Sequence, residues 1–133
     1  MIRAIILLLL AGPAAATTIG LHLGSAHSTP GWCDYNPGVY MRTDAGLTLG
    51  AYRNSECRSS AYAGWTWEAR RGKLAAAITA GAVTGYAARP VLPLLVPSLA
   101  VDVADKTALR LTYIPKIEKA GAHALHLSVE RRF

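Results

Sequence analysis

The stretch Ala122-His123-Ala124-Leu125-His126-Leu127-Ser128-Val129-Glu130-Arg131-Arg132-Phe133 decides the fold. Leu125, Leu127 and Val129 fall two residues apart and Phe133 ends the series, while Ala124, His126, Ser128 and Glu130 fill the positions between them. Period two is the geometry of a strand whose two faces meet different surroundings. Arg131 is the one break in the apolar set.

The same period recurs upstream. Ile19/Leu21/Leu23, Val39/Met41, Leu47/Leu49/Ala51, Ala61/Ala63/Trp65/Trp67, Leu74/Ala76/Ile78/Ala80 and Leu109/Leu111/Tyr113 each line one face. With the Pro-containing segment Leu94–Val103 and the final run, the chain holds eight strands, the even number of a closed bacterial barrel. Most approach the ~9–11 residues that a tilted strand needs to cross a bilayer.

The connections alternate in length. Asp44-Ala45-Gly46, Arg70-Arg71-Gly72 and Ala104-Asp105-Lys106 are tight polar turns, and longer links lie near Ala26–Gly38, Asn54–Ser60, Tyr86–Pro93 and Pro115–Gly121. Short periplasmic turns and long outer loops describe an outer-membrane protein. The expected fold is all-β, an eight-stranded antiparallel up-and-down transmembrane β-barrel, present as a monomer.

Residues 1–16 differ in composition: Arg3 leads, Ala4–Gly12 is apolar, and Ala14-Ala15-Ala16 offers a cleavage site, so a signal peptide is expected, with the barrel domain at 17–133. The apolar run is too short for a spanning helix, and the longest later one, Val91–Val101, is broken by Pro93 and Pro97. The net charge of +6 is scattered rather than blocked. With export it argues against nucleic acid and for the anionic head groups of phospholipid and lipopolysaccharide. Two cysteines in an oxidising compartment predict a Cys33–Cys57 disulfide between the first two outer loops. Closing a ring of about 25 residues, it would contribute roughly 3 kcal/mol. No metal-ligand spacing or cofactor motif is present in the sequence, so neither is expected.

The faces opposite the apolar ones, including Gly20/His22, Thr48/Gly50/Tyr52, Tyr62/Gly64/Thr66/Glu68 and Ala75/Ala77/Thr79/Gly81, should line a lumen. Many are small or apolar, which suits one acyl tail better than a water-filled pore. Arg42, Arg110, Glu68, His126 and Glu130 are expected to plug its periplasmic half, because buried charges require partners. A soluble lipocalin-like barrel would need polar outer faces, and here the more continuous apolar face must point outward.

No hydrolase elbow, zinc-protease motif or phosphate loop occurs. Near the expected mouth stand His22, His27, Asn54 and Ser55. An imidazole can take the proton of a serine, and an amide can orient the base or stabilise an oxyanion, so His22, Ser55 and Asn54 are the candidate catalytic set.

Several segments resemble one family. Gly46-Leu47 through Arg53-Asn54-Ser55, Tyr62-Ala63-Gly64-Trp65-Thr66-Trp67-Glu68, Ala80-Gly81, Leu92-Pro93-Leu94-Leu95-Val96-Pro97, Thr112-Tyr113-Ile114-Pro115 and Tyr35-Asn36 are similar to strands and loops of the PagP-type lipid A palmitoyltransferases. The resemblance spans about Leu21 to Phe133. It implies an outer-membrane acyltransferase moving a phospholipid acyl chain to lipid A or a related lipid, with His22 as base, Ser55 as nucleophile or donor of the key hydrogen bond, and Asn54 as orienter. Asn54 stands where the family has aspartate, and an amide supplies no charge for an imidazolium. The family's N-terminal amphipathic helix has no room before strand one, and Thr17 replaces a proline. Pro93 and Pro97 match prolines that open a lateral lipid gate. Thr66 falls on a glycine at the floor of the lumen, near Gly64, which implies shorter acyl chains. The alternative is a non-catalytic outer-membrane barrel with a structural or lipid-binding role.

Overall fold

The computed structural model describes residues 17–116 and 121–133. The expected signal peptide lies outside the described residues. Eight strands follow in order: β1 (Thr17–His27), β2 (Tyr35–Thr43), β3 (Leu47–Arg53), β4 (Ser59–Arg71), β5 (Leu74–Thr84), β6 (Val91–Ala104), β7 (Thr107–Ile114) and β8 (Ala124–Arg132). Each pairs antiparallel with its sequence neighbours, and β1 closes on β8, so the strands form one closed barrel without free edges. The expected fold is the one observed.

The turns and loops alternate as expected. β2–β3, β4–β5 and β6–β7 are joined tightly, and Gly46, at φ +114°, supplies the left-handed residue of the first turn. The longer links gather at the opposite rim, where Cys33 and Cys57 are bonded with their Cα atoms 5.5 Å apart. Cys33 N–H also donates to Ser55 O at 2.8 Å, so the first two of these loops are joined twice.

Leu21, Leu47, Trp65, Trp67, Leu74, Ile78, Leu95, Leu99, Leu111, Leu125 and Leu127 all stand exposed on the outer wall. An apolar belt of this extent fits hydrocarbon and not water. The other parity is buried: Tyr40, Thr48, Thr66, Ala75, Ala77, Val96, Ala100, Ala108, Ser128 and Glu130 fill or line the interior.

The short-turn half of the interior is closed by ion pairs. Arg110 Nε donates to Glu130 Oε1 at 2.7 Å, Arg110 Nη2 to Glu68 Oε2 at 2.5 Å, and Arg42 Nη1 to Glu130 Oε1 at 3.1 Å. Tyr40 donates its hydroxyl to Glu130 Oε1 at 2.5 Å, and Arg110 Nη1 reaches Ser98 Oγ at 2.8 Å. Arg42, Arg110, Glu68 and Glu130 thus form the expected plug. His126 does not join it. On β8 the chain runs from the long-loop rim downward, so His126 lies near the top while Glu130 lies four residues lower, and the His126 ring bonds to Ser25 and His22 instead.

Two irregularities shape the upper half. In β1 the register shifts between His22 and Gly24: His22 pairs with Ser128 of β8, and Gly24 with Leu127. Two steps on β1 therefore answer one on β8, and the bulge reverses the in/out parity of everything beyond it. Gly24 makes this possible, since a Cβ there would lie 2.7 Å from Asp34 O.

The second irregularity lies between β6 and β7. Their pairing runs from Ala104↔Thr107 to Ser98↔Thr112 and stops, while β6 continues against β5 as far as Val91. Asp102 N donates to Lys73 O, on the β5 side, so even residues of β6 aim their N–H groups at β5 and odd residues at β7. Pro93 and Pro97 are odd. They remove two donors from the side facing β7 and leave a lateral opening above Ser98.

Candidate functional site

Above the plug the barrel encloses a cavity of about 420 Å³ that opens at the long-loop rim and reaches the β6–β7 gap. Its size falls within the roughly 300–1,000 Å³ of small-molecule sites. Its walls are unlike one another. Val83 of β5 and Leu92, Leu94 and Val96 of β6 make one side apolar, and Pro93 and Leu95 place that wall beside the gap. Leu95, 62% exposed on the outer surface, also borders the cavity beside the gap.

The floor of this side is a hydroxyl row. Thr66 Oγ1 lies 2.8 Å from Thr48 Oγ1 and 2.7 Å from Thr79 Oγ1, which ties β3, β4 and β5 at one level. Gly64 faces the lumen one step higher and pairs with Gly81 of β5; a Cβ at Gly64 would meet Ala80 O at 2.4 Å. Thr66 thus lines the bottom of the chamber, with the ion pairs below, while Gly64 packs against β5 and is not among the residues that line it.

The opposite wall is polar and aromatic. Tyr40 lies across Gly20 and Tyr62 across Gly50, and in each case a Cβ on the glycine would overlap the ring. His22 occupies the middle of this wall, with its ring centre 4.9 Å from Tyr40, 5.2 Å from Tyr52 and 4.9 Å from His126. Its Nδ1 is 2.8 Å from His126 Nε2, and its Nε2 is 2.9 Å from the Tyr62 hydroxyl. His126 Nδ1 in turn lies 2.8 Å from Ser25 Oγ.

His22 and Ser55 line the same cavity, but both His22 nitrogens are engaged elsewhere. Ser55 makes no bond to His22, and on its side of the cavity the Tyr86 hydroxyl is 2.9 Å from that of Tyr52. Burial pushes the Tyr86 phenol above its ordinary value, so it stays protonated as a donor, although the bond with Tyr52 opposes the shift.

Asn54 is fully buried and structural in its bonding. Its Nδ2 donates to Ser60 Oγ at 2.9 Å and Gly85 O at 3.0 Å, and its Oδ1 accepts from the N–H groups of Glu56 and Arg58. These four bonds exhaust the amide, so the structure does not bring Asn54 to His22. His27 pairs with Asp34 at 2.7 Å above the chamber.

Ser25, His126 and Tyr62 belong to the site beside the expected residues. Tyr62 was legible as inward from its parity. Ser25 was not, because strict alternation from His22 sends it outward, and only the bulge turns it in. Asn36 adds a polar vacancy: it is buried on the cavity wall, its Nδ2 donates to Cys33 O and Arg53 O, and its Oδ1 is the buried side-chain atom without a partner among the described residues. Among the same residues no cluster of metal-ligating groups forms.

No known family profile and no curated protein sequence matches the chain. Solved structures do. A de novo designed barrel, TMB2.3, superposes with a TM-score of 0.64 at 12% identity over 92% of this chain and 97% of its own. A second structure, described as de novo design of transmembrane beta-barrels, gives 0.65 at 12% identity over 92% and 98%. Neisserial surface protein A aligns over 89% and 96% at 12% identity, with a TM-score of 0.39. The closed eight-stranded topology and the match to the two designed barrels give the chain the fold of the eight-stranded transmembrane β-barrels.

Proposed function

We propose that this barrel resides in a bacterial outer membrane, as a monomer, and takes one acyl chain of a membrane lipid into its lumen through the β6–β7 gap. The observation that carries this reading is the cavity itself: it has one apolar wall, a closed floor, and a side opening onto the lipid-facing belt where Pro93 and Pro97 withhold their donors. Exposed Arg53, Arg58 and Arg89 near the outer rim suit the anionic head groups of phospholipid or lipopolysaccharide.

Native mass spectrometry of the detergent-purified barrel incubated with myristate tests it. A one-to-one adduct is expected, and Val96→Trp, which fills the apolar side, should abolish it. An adduct that survives Val96→Trp, or none with the parent, sinks the reading.

A second reading is transfer of that chain from phospholipid to lipid A, as the PagP resemblance implies, with His22, Asn54 and Ser55 carrying it. His22 and Ser55 lining one cavity speaks for it, and the bonds that occupy Asn54 speak against that residue as orienter. Lipid A mass spectra from cells with and without the gene separate the two readings.

A further inference from the structure

Ser25, His126 and His22 form a continuous hydrogen-bonded series on the polar wall of the chamber. Ser25 Oγ is 2.8 Å from His126 Nδ1, His126 Nε2 is 2.8 Å from His22 Nδ1, and His22 Nε2 is 2.9 Å from the Tyr62 hydroxyl. Two proton arrangements satisfy such a series, running in opposite directions. In one, Ser25 donates to His126, His126 donates Nε2–H to His22, and His22 donates Nε2–H to Tyr62. That is the arrangement of a serine whose base is itself held by a third group.

The geometry points to Ser25 as the nucleophile of a Ser–His–His array that cleaves or transfers a carboxylic ester of a membrane lipid, with His126 as the base and His22 as a positioning residue. The inference rests on the reading of the lumen as an acyl-chain chamber, and it replaces Ser55 as the reacting serine. Three independent features converge on it. The β1 bulge turns Ser25 inward at the cost of regular pairing, and bulges recur where a side chain is re-aimed at a site. All three residues line the cavity, from β1 and β8, across the barrel from the apolar wall of β5 and β6. Asn54 is already bonded to Ser60 and Gly85, and both His22 nitrogens are engaged away from Ser55.

The chemistry balances without a cofactor. Ser25 Oγ bonds to the ester carbonyl carbon as its proton passes to His126 Nδ1. Collapse of the tetrahedral adduct breaks the carbon–oxygen bond to the lipid alcohol, which leaves with the proton from His126. Water or a second lipid hydroxyl then gives its proton to His126, attacks the acyl-serine carbonyl, and Ser25 regains its hydrogen as the acid or new ester departs.

The test is a fluorophosphonate probe, which phosphonylates activated serines, applied to the full barrel in detergent micelles, with the adduct located by peptide mass spectrometry. The adduct is expected on Ser25, absent in Ser25→Ala, and formed about a hundredfold or more slowly in His126→Gln. His22→Phe should slow labelling, and His22→Gln, which keeps an acceptor for His126, should recover much of the rate; equal rates in the two assign His22 a packing role only and overturn its part. Gel mobility of unheated against boiled samples verifies that each variant is a folded barrel. Because the parent's own adduct is mapped, the result does not depend on any variant folding. Absence of labelling, or labelling at Ser55 alone, overturns the proposal. Myristate binding measured on the same samples separates the two readings: a chain bound without a label overturns only the serine assignment, and no chain bound overturns both.

Discussion

Arg110 Nε and Glu130 Oε1 lie 2.7 Å apart inside the barrel wall, with Arg42, Glu68 and Tyr40 closing around them. The pair bridges adjacent strands β7 and β8, and Arg42 and Glu68 extend it across the lumen to β2 and β4. Removing one member leaves the others charged and buried. Glu130→Ala is expected to lower stability by about 3–5 kcal/mol, read from the denaturant midpoint in detergent. The more exposed Arg70–Asp102 pair serves as the contrast: Arg70→Ala should cost about 0–1 kcal/mol. Equal losses in the two variants would remove the plug as a stabilising unit.

Thr66 sets the depth of the chamber through its bonds to Thr48 and Thr79. The parent is expected to bind myristate more tightly than palmitate. Thr66→Gly, which removes the side chain from the floor, should reverse or level that order in competition binding. A parent that prefers palmitate contradicts this placement of the floor.

Pro93 and Pro97 keep β6 from pairing with β7 above Ser98. Restoring both donors in Pro93→Ala/Pro97→Ala allows the ladder to extend. Uptake of a fluorescent fatty acid from vesicles should slow several-fold, while the amide hydrogens of residue 97 and Tyr113 gain protection from exchange. Unchanged uptake with increased protection would show that lipid enters by the rim.

The Cys33–Cys57 bond is expected to contribute roughly 3 kcal/mol through loop closure. The Cys33 N–H to Ser55 O bond holds the same loops without it, so Cys33→Ser/Cys57→Ser should shift the midpoint by no more than that and leave myristate binding intact. Loss of binding would place the disulfide in the structure of the chamber mouth.

The strand count and the lipid-facing residues were legible in the chain because they follow from local rules, closure from the even number of strands, and the disulfide from there being two cysteines. Alternation with period two separates Leu125 and Leu127 from Ala124 and Ser128 without any knowledge of neighbours. The Arg42, Arg110, Glu68 and Glu130 plug was legible for the same reason: four charges on lumen-facing parities have nowhere else to find partners. The prolines of β6 announced a missing set of donors, though which side of the strand they opened required the Asp102 N–H to Lys73 O bond.

The site was legible only in part. His22 follows from parity and from its family resemblance. Ser25 does not, since a single extra residue in β1 reverses the alternation beyond His22 and no residue type in the sequence marks it unambiguously. His126 sits 104 positions from His22 and was grouped by charge with Glu130, four residues away on the same face. Asn54 shows the reverse: adjacency to Ser55 suggested shared chemistry, while the fold commits every polar atom of its amide to Glu56, Arg58, Ser60 and Gly85.

The sequence by itself thus determined which residues of the regular strands face lipid and which face the lumen, because there the division depends only on position along a pleated strand, and it fails only beyond the β1 bulge. Tertiary structure alone decided which lumen residues meet. Closure of β8 onto β1 brings His126 to His22, the register shift at Leu23 carries Ser25 to His126, and both depend on pairing between the two ends of the chain.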